Sequence, residues 1–484
     1  MAKGMTNAIC ISGGGTLVTN PVTNIAVKKG NGKLSITWTD PEDNSDAAKW
    51  QDTTVRYKQG SIPTSATDGT LVVTETTRNQ YQTTPLEITG LSNEKVYYIT
   101  VFPRSVGGEY NTDVSQLVAG TPSQYSVWTV KIDQNNSNPE TCCTYADDAV
   151  GMTKGGSEWD SIFKYFPCVM QNGKVVNLLK PQDFYYTDEE LPAPISNTDY
   201  DVMIAFPRMG LSISTDENDV ISVSLTNNPN DPNFQYLAHK RGSVQKDRFY
   251  LGAYVATGTA SKVGSNSNAA PLVNVNLTKF IAGAHARGTG YEIMGFYQWT
   301  YIQALYVLKY GNLNSQAALG KGYVGGSVAQ TTGATDQAGM CYGDPNSGTD
   351  RVKLFGLEDC WGNVYQWISG LYCDSSYNLL TTTDNFGKST SASNWEYSVS
   401  SGVTTYTGGY MTKTQGTDNG GFVIKAKNGS DTTYFSDYGY LFAGYFPSVG
   451  GGWNTGDRAG VFYCVVDGSA SVATSSIGSR LMYL

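Results

Sequence analysis

Carboxylates are the most plentiful groups in this chain that could do acid–base chemistry. Asp188-Glu189-Glu190 is a dense acidic run, and Glu358-Asp359 stand side by side. Glycoside hydrolysis needs two carboxyls opposed across a cleft, and adjacency in sequence does not supply opposition. Both groups therefore read first as solvated or capping residues. Histidine chemistry is nearly excluded, because only His239 and His285 are present in 484 residues. The eight cysteines (10, 142, 143, 168, 341, 360, 373 and 464) contain no C-x-x-C pair and read as buried or incidental thiols. Gly320-Lys321-Gly322-Tyr323-Val324-Gly325 matches G-x-G-x-x-G, but no β-like run precedes it and no helix follows, so it reads as a glycine-rich loop. Gly387-Lys388-Ser389-Thr390 mimics the end of a P-loop, but Thr382 stands where the first glycine of the phosphate cradle is required.

The composition narrows the elements that must carry any site. Charged residues are 15 % of the chain and hydrophobic residues 40 %, with 54 Gly and 33 Tyr. Average chains carry about 25 % charged residues, so uncharged polar groups build most of this surface. Gly, Ser, Thr, Asn and Tyr together are poor helix material and good strand-and-turn material. The net charge of −9 leaves no basic footprint for nucleic acid. No run of about 18 apolar residues predicts membrane insertion, and the N-terminal residues lack a stretch apolar enough for a signal peptide. The expectation is a protein assembled in a cytoplasm.

Along the chain, residues 1–20 read as a Gly-rich attachment arm. Residues 21–122 read as one β-domain, because Asn24–Lys28, Leu34–Thr39 and Thr54–Lys58 alternate apolar and polar residues. Trp38 early, and Leu91 six residues before Tyr97 late, resemble a fibronectin type III sandwich, with Tyr97 as the tyrosine corner. Residues 123–240 read as a β-rich connector of unassigned fold. A helix is predicted over 281–310, with Thr289-Gly290-Tyr291-Glu292 as a capping box and Gly311 just past its end.

In Phe355–Trp367, the turn residues Gly356, Gly362 and Asn363 stand among Phe355, Trp361, Tyr365 and Trp367. The plain reading is a buried turn pinned by aromatic anchors. The stretch also resembles the G-L-x-D-x-x-G-N-V-x-E-W signature of formylglycine-generating-enzyme-like domains, a branch of the C-type lectin fold. Gly356, Leu357, Asp359, Trp361, Gly362, Asn363 and Trp367 carry the match, and Gln366 stands where the family commonly has Glu. Gly451-Gly452-Trp453 resembles a closing G-G-x-W with one residue fewer, and Gly478 and Arg480 fit a closing G-x-R. The resemblance covers roughly 241–484. It implies an α+β C-type-lectin-like domain, and hence a multidomain, β-rich chain: sandwich, connector, lectin-like domain.

The oxidase-type members of that family use a cysteine pair between the closing elements, where this chain has Cys464 alone. No enzyme activity is expected on that ground. The same segment, 453–476, resembles the ligand-facing region of C-type-lectin-fold proteins diversified by retroelements, which occur at phage tail tips and on bacterial surfaces. Trp453, Asn454, Thr455, Asp457, Arg458, Tyr463, Asp467, Ser471 and Thr474 are the candidate receptor-binding residues, because adaptable hydrogen-bonding side chains with Trp, Tyr and Arg suit an interface. Trp453-Asn454-Thr455 is similar to the W-N-D element of sugar-binding lectins, but Thr replaces the carboxylate, so calcium is not predicted and no cofactor is expected. The resemblance implies a phage tail-fibre or tail-tip adhesin in the virion. Its expected partners are a bacterial surface receptor (glycan or protein) and other tail proteins, and tail fibres imply a homotrimer. The alternatives are a carbohydrate-active enzyme or lectin-like hydrolase with an accessory module, and a purely structural virion protein.

Overall fold

The computed structural model describes residues 18–43, 48–384 and 395–484. The attachment arm up to residue 17 and Gly387-Lys388-Ser389-Thr390 lie outside the described residues. The chain divides into two compact units between Ser126 and Val127.

The first unit is a β-sandwich. One sheet pairs Thr23–Gly30, Lys33–Thr39 and Leu86–Thr89; the other runs Thr70–Glu75, Trp50–Gln59, Tyr97–Ser105 and Leu117–Gly120. Alternation in Lys33–Thr39 sends Leu34, Ile36 and Trp38 inward, where they meet Val55, Ile99 and Val101. Asn31-Gly32 closes the first hairpin as a two-residue loop, and Gly32 takes the positive φ that such a turn requires. The Tyr97 hydroxyl accepts the Ser92 N–H at 3.0 Å and donates to Gln59 Oε1 at 3.2 Å. That bond ties the strand back to the turn preceding it, the geometry of a tyrosine corner.

Among the described residues, the second unit holds two seven-stranded sheets. The first runs Asp183–Thr187, Lys174–Lys180, Phe166–Gln171, Asp201–Pro207, Arg248–Gly252, Leu481–Tyr483 and Tyr291–Ile293. The second runs Ile424–Lys427, Thr407–Thr414, Tyr438–Leu441, Cys464–Gly468, Phe446–Val449, Tyr365–Trp367 and Ile477–Ser479. A four-stranded sheet, built from Gly210–Thr215, Val220–Thr226, Val127–Asp133 and Cys143–Asp147, completes the set of larger sheets. Residues 123–240 and 241–484, taken separately in the sequence, share the first sheet and one hydrophobic core that reaches from Trp128 to Leu484.

The helix expected over 281–310 is instead two helices with a strand between them. The first, α1, is Leu277–His285; the second, α2, is Phe296–Tyr310. Tyr291–Ile293 pairs with Leu481–Tyr483, so the capping-box reading is corrected: Thr289 caps nothing, and Glu292 lies fully buried on an edge strand. Pairing with the C-terminal strand outweighs the local helix signal there. The expected end of α2 is present, with Gly311 at φ 52° in the left-handed region. Every α2 residue except the terminal Tyr310 is buried, as befits a helix in the interior of the unit.

Candidate functional site

The signature stretch builds an internal polar network. Phe355, Gly356, Asp359, Gly362 and Asn363 all take positive φ, so the chain winds tightly between Lys353 and Val364. That winding turns the Glu358 and Asp359 carboxylates inward. Asp359 accepts from Arg351 Nε at 2.7 Å and from Asn363 Nδ2 at 2.8 Å. Glu358 accepts from Arg351, the Thr335 hydroxyl and the backbone N–H groups of Gly333 and Thr335. Burial raises the Glu358 pKa, with the Asp359 charge adding to the effect. Buried charges of this kind persist when paired and hydrogen-bonded, and these two hold the loop rather than open to a cleft. Asp188, Glu189 and Glu190 are exposed at the surface.

Arg480 completes the network. Its Nε donates to Gln366 Oε1 at 2.9 Å, and its two terminal nitrogens donate to the carbonyls of Gly252, Ala253, Glu358 and Asp359. Gln366 turns its amide N–H groups to the carbonyls of Asp359 and Cys360. A glutamine can accept from Arg480 and donate to those carbonyls at once; a glutamate cannot donate. Leu357, Trp361 and Trp367 are buried in the cores this network joins, and Gly478 packs against Val364. Gly322 and Gly362 are glycines for close approach: a Cβ on either would press on Trp361 or on the Tyr323 backbone. The G-x-G-x-x-G stretch is thus a packed loop.

The network fixes the start of 453–476. Gly450 and Gly451 take φ of 81° and 78°, and Trp453 N–H donates to Asn363 O at 3.0 Å. Gly450-Gly451-Gly452-Trp453 is in fact a complete G-G-x-W. From there the candidate residues divide into two groups. Thr455 and Tyr463, expected at the surface, are buried. The Thr455 hydroxyl accepts from Gly452 N–H and donates to Tyr365 OH at 2.8 Å, and the Tyr463 ring packs 5.8 Å from that of Tyr365. Trp453 is half-buried. Asn454, Asp457, Arg458, Asp467, Ser471 and Thr474 are exposed.

Tyr365 gathers part of this segment: besides Thr455 and Tyr463, its hydroxyl lies 3.4 Å from Asn454 Oδ1 and its N–H donates to Ser476 O at 2.9 Å. Asp467 stands towards the far end of the strand Cys464–Gly468, and Ser471 follows in a turn whose Ala470 and Val472 pack inward. Burial pushes the Cys464 thiol up to about 12, so the thiolate needed for nucleophilic chemistry is suppressed. Asp437, fully buried, accepts the Phe462 N–H at 2.7 Å, and a Cβ on Gly460 would collide with its carboxylate. These contacts tie the backbone under the exposed residues to the buried groups around it.

The structure adds residues that the sequence reading did not select. Tyr438 and Tyr440 alternate with buried Gly439 and Leu441, so both rings leave the second sheet on its outer side. The neighbouring strand pairs Gly408 with Tyr440 and Tyr410 with Tyr438. The rings run in contact: Tyr410–Tyr438 at 5.1 Å, Tyr438–Tyr440 at 5.1 Å, Tyr440–Tyr406 at 5.7 Å and Tyr406–Phe442 at 5.4 Å. Arg458 lies over Tyr438 at 5.7 Å, and Lys427 over Tyr406 at 5.9 Å. Gly408 leaves room for the row, since a Cβ there would sit 2.3 Å from the Tyr440 ring. The period-two run Tyr438-Gly439-Tyr440-Leu441-Phe442 was a visible signal; the partner strand that completes it was not.

No family model matches the chain, and no curated protein matches it. Among solved structures, the chain is similar to "Major Tropism Determinant U1 Variant", with 11 % identity and a TM-score of 0.26 over 79 % of this chain and 91 % of that one. It is also similar to "Major Tropism Determinant M1 Variant", with 9 % identity and a TM-score of 0.25 over 88 % and 95 %. Likeness at that level carries no argument about the fold or the site. Among the described residues, no helix is long and apolar enough to cross a membrane.

Proposed function

We propose that the chain is a phage tail-fibre or tail-tip adhesin whose second unit, a C-type-lectin-fold domain, presents 453–476 to a receptor on a bacterial surface. The observation that carries this reading is the contrast within that one segment. Exposed Asn454, Asp457, Arg458, Asp467, Ser471 and Thr474 stand on a backbone held by buried Thr455 and Tyr463. Such a scaffold presents adaptable side chains with little ordering cost on binding. Binding rather than turnover also agrees with the locked Glu358–Asp359 pair and the protonated Cys464 thiol. The fibronectin-like sandwich is a spacer, the N-terminal arm attaches to other tail proteins, and three copies assemble as a homotrimer in the virion, so that several weak sites act together.

The test is retention of the fluorescent full chain on a panel of bacterial strains. The wild type is expected to bind at least one strain. The variant Asn454→Ala/Asp457→Ala/Arg458→Ala is expected to lose that binding with its melting temperature nearly unchanged, since all three side chains are exposed. Binding unaffected by the variant overturns the site. Light scattering at micromolar concentration is expected to give a trimer mass, and a monomer overturns the assembly.

A further inference from the structure

Beside the row of rings lies a cavity of about 230 Å³, lined by Asn314, Gln316, Lys321, Asp431, Thr432 and Asp457 among others. The two features adjoin. Asp457 lines the cavity while the next residue, Arg458, covers Tyr438. Asp431 lines it two residues after Gly429, whose N–H donates to Tyr410 O at 3.1 Å. Tyr410 begins the row, so the polar cavity opens at the end of a continuous aromatic surface. At the other end, Tyr406 and Phe442 are 42 % and 41 % exposed. Five large rings in mutual contact, all at least partly open to water, form a contiguous apolar patch, and such a patch marks an interaction surface.

The chemistry of the two features selects the ligand. Carboxylates, an ammonium, a hydroxyl and amides line the cavity, and Lys321, 3.8 Å from Asp457, offsets one of the two carboxylates. That mixture suits a partner rich in neutral donors and acceptors. The tyrosine row offers flat apolar faces with polar edges. A pyranose has the complementary form: a face of C–H groups that covers a ring, and hydroxyls around its rim. We propose that the Tyr406–Tyr410–Tyr438–Tyr440–Phe442 row and the adjoining cavity bind a neutral, hydroxyl-rich saccharide chain, with sugar rings stacked along the row and a terminal or branching residue in the cavity. The proposal rests on the adhesin reading and gives the receptor its class. It places the first contacts outside 453–476, except for Asp457 and Arg458, which both surfaces share.

The test uses the full chain and a panel of bacterial strains treated with periodate, which cleaves sugar vicinal diols, or with protease. Binding should be lost from periodate-treated cells and retained on protease-treated cells. Tyr406→Ser/Tyr440→Ser should lower retention at least tenfold. Tyr406→Ser alone, at an exposed site, and Asp431→Ser, at the exposed rim of the cavity, should each lower it several-fold while melting stays unchanged. Loss on protease but not periodate overturns the saccharide and leaves a protein receptor for the adhesin. Loss on periodate with the row and cavity variants fully active overturns this site. If the chain binds none of the strains, the adhesin reading itself fails, and the saccharide proposal with it.

Discussion

Arg480 is the residue on which most of the buried polar order depends. Its planar fork satisfies four backbone carbonyls and Gln366 Oε1 at once, in a site with no access to water. Lysine has three donors on one nitrogen and cannot reproduce that fork. Arg480→Lys should therefore lower unfolding stability by about 3 kcal/mol, the scale seen when a buried ionic group loses its partners, measured as a shift in denaturant midpoint. Gln366→Glu restores the residue common in the family this chain resembles, but sets a carboxylate against the Asp359 and Cys360 carbonyls. A loss of about 1–3 kcal/mol is expected, because the Cys360 carbonyl forfeits its donor and the Asp359 carbonyl keeps only that from Arg480; a gain would show that the new pairing with Arg480 dominates. Asp437 gives a pH test. Burial holds its pKa well above the ordinary carboxylate value. A carboxyl with a raised folded pKa contributes stability in acid that is lost as pH rises from about 4 through the folded value. Asp437→Asn should flatten that part of the stability–pH curve, measured by chemical unfolding between pH 4 and 8; an unchanged slope would contradict the assignment.

At the scale of elements, local pattern was legible where an element is specified by its own residues. Lys33–Thr39 alternates cleanly and is a strand; Asn31-Gly32 is its turn; Gly311 ends a helix. It was not legible where a distant partner decides. Tyr291–Ile293 is three residues long and exists as a strand because Leu481–Tyr483, at the far end of the sequence, pairs with it. The same limit hid the aromatic row, since the register of Gly408 against Tyr440 is not written in either strand alone. Within the candidate segment, exposure was not legible residue by residue: Thr455 and Tyr463 have the side chains of an interface but lie buried. The corrected strand carries its own prediction. Buried Glu292 bonds the half-exposed His285 at the end of α1, and that bond raises the imidazole pKa. A raised histidine pKa contributes stability below the ordinary value of about 6.5 that is lost as pH rises through the folded value. The melting temperature should fall between pH 6 and 9 in the wild type, and fall less in His285→Gln.

At the scale of the molecule, the chain reads as two separately cored units, of which the second carries the proposed display surface. Within 453–476, buried Thr455 and Tyr463 alternate with exposed side chains. If that surface exists to meet changing receptors, exposed and buried positions in it must differ in the substitutions they accept. A buried ring or arginine cannot be exchanged without loss of packing or of hydrogen bonds, whereas surface substitutions usually change stability by less than about 0.5 kcal/mol. Sequencing this locus in sibling isolates tests that directly. Substitutions are expected to concentrate at Asn454, Asp457, Arg458, Asp467, Ser471 and Thr474, with Thr455, Tyr463, Gly478 and Arg480 unchanged. Substitutions spread evenly over exposed and buried positions, or absent from 453–476 while frequent elsewhere on the surface, would contradict it.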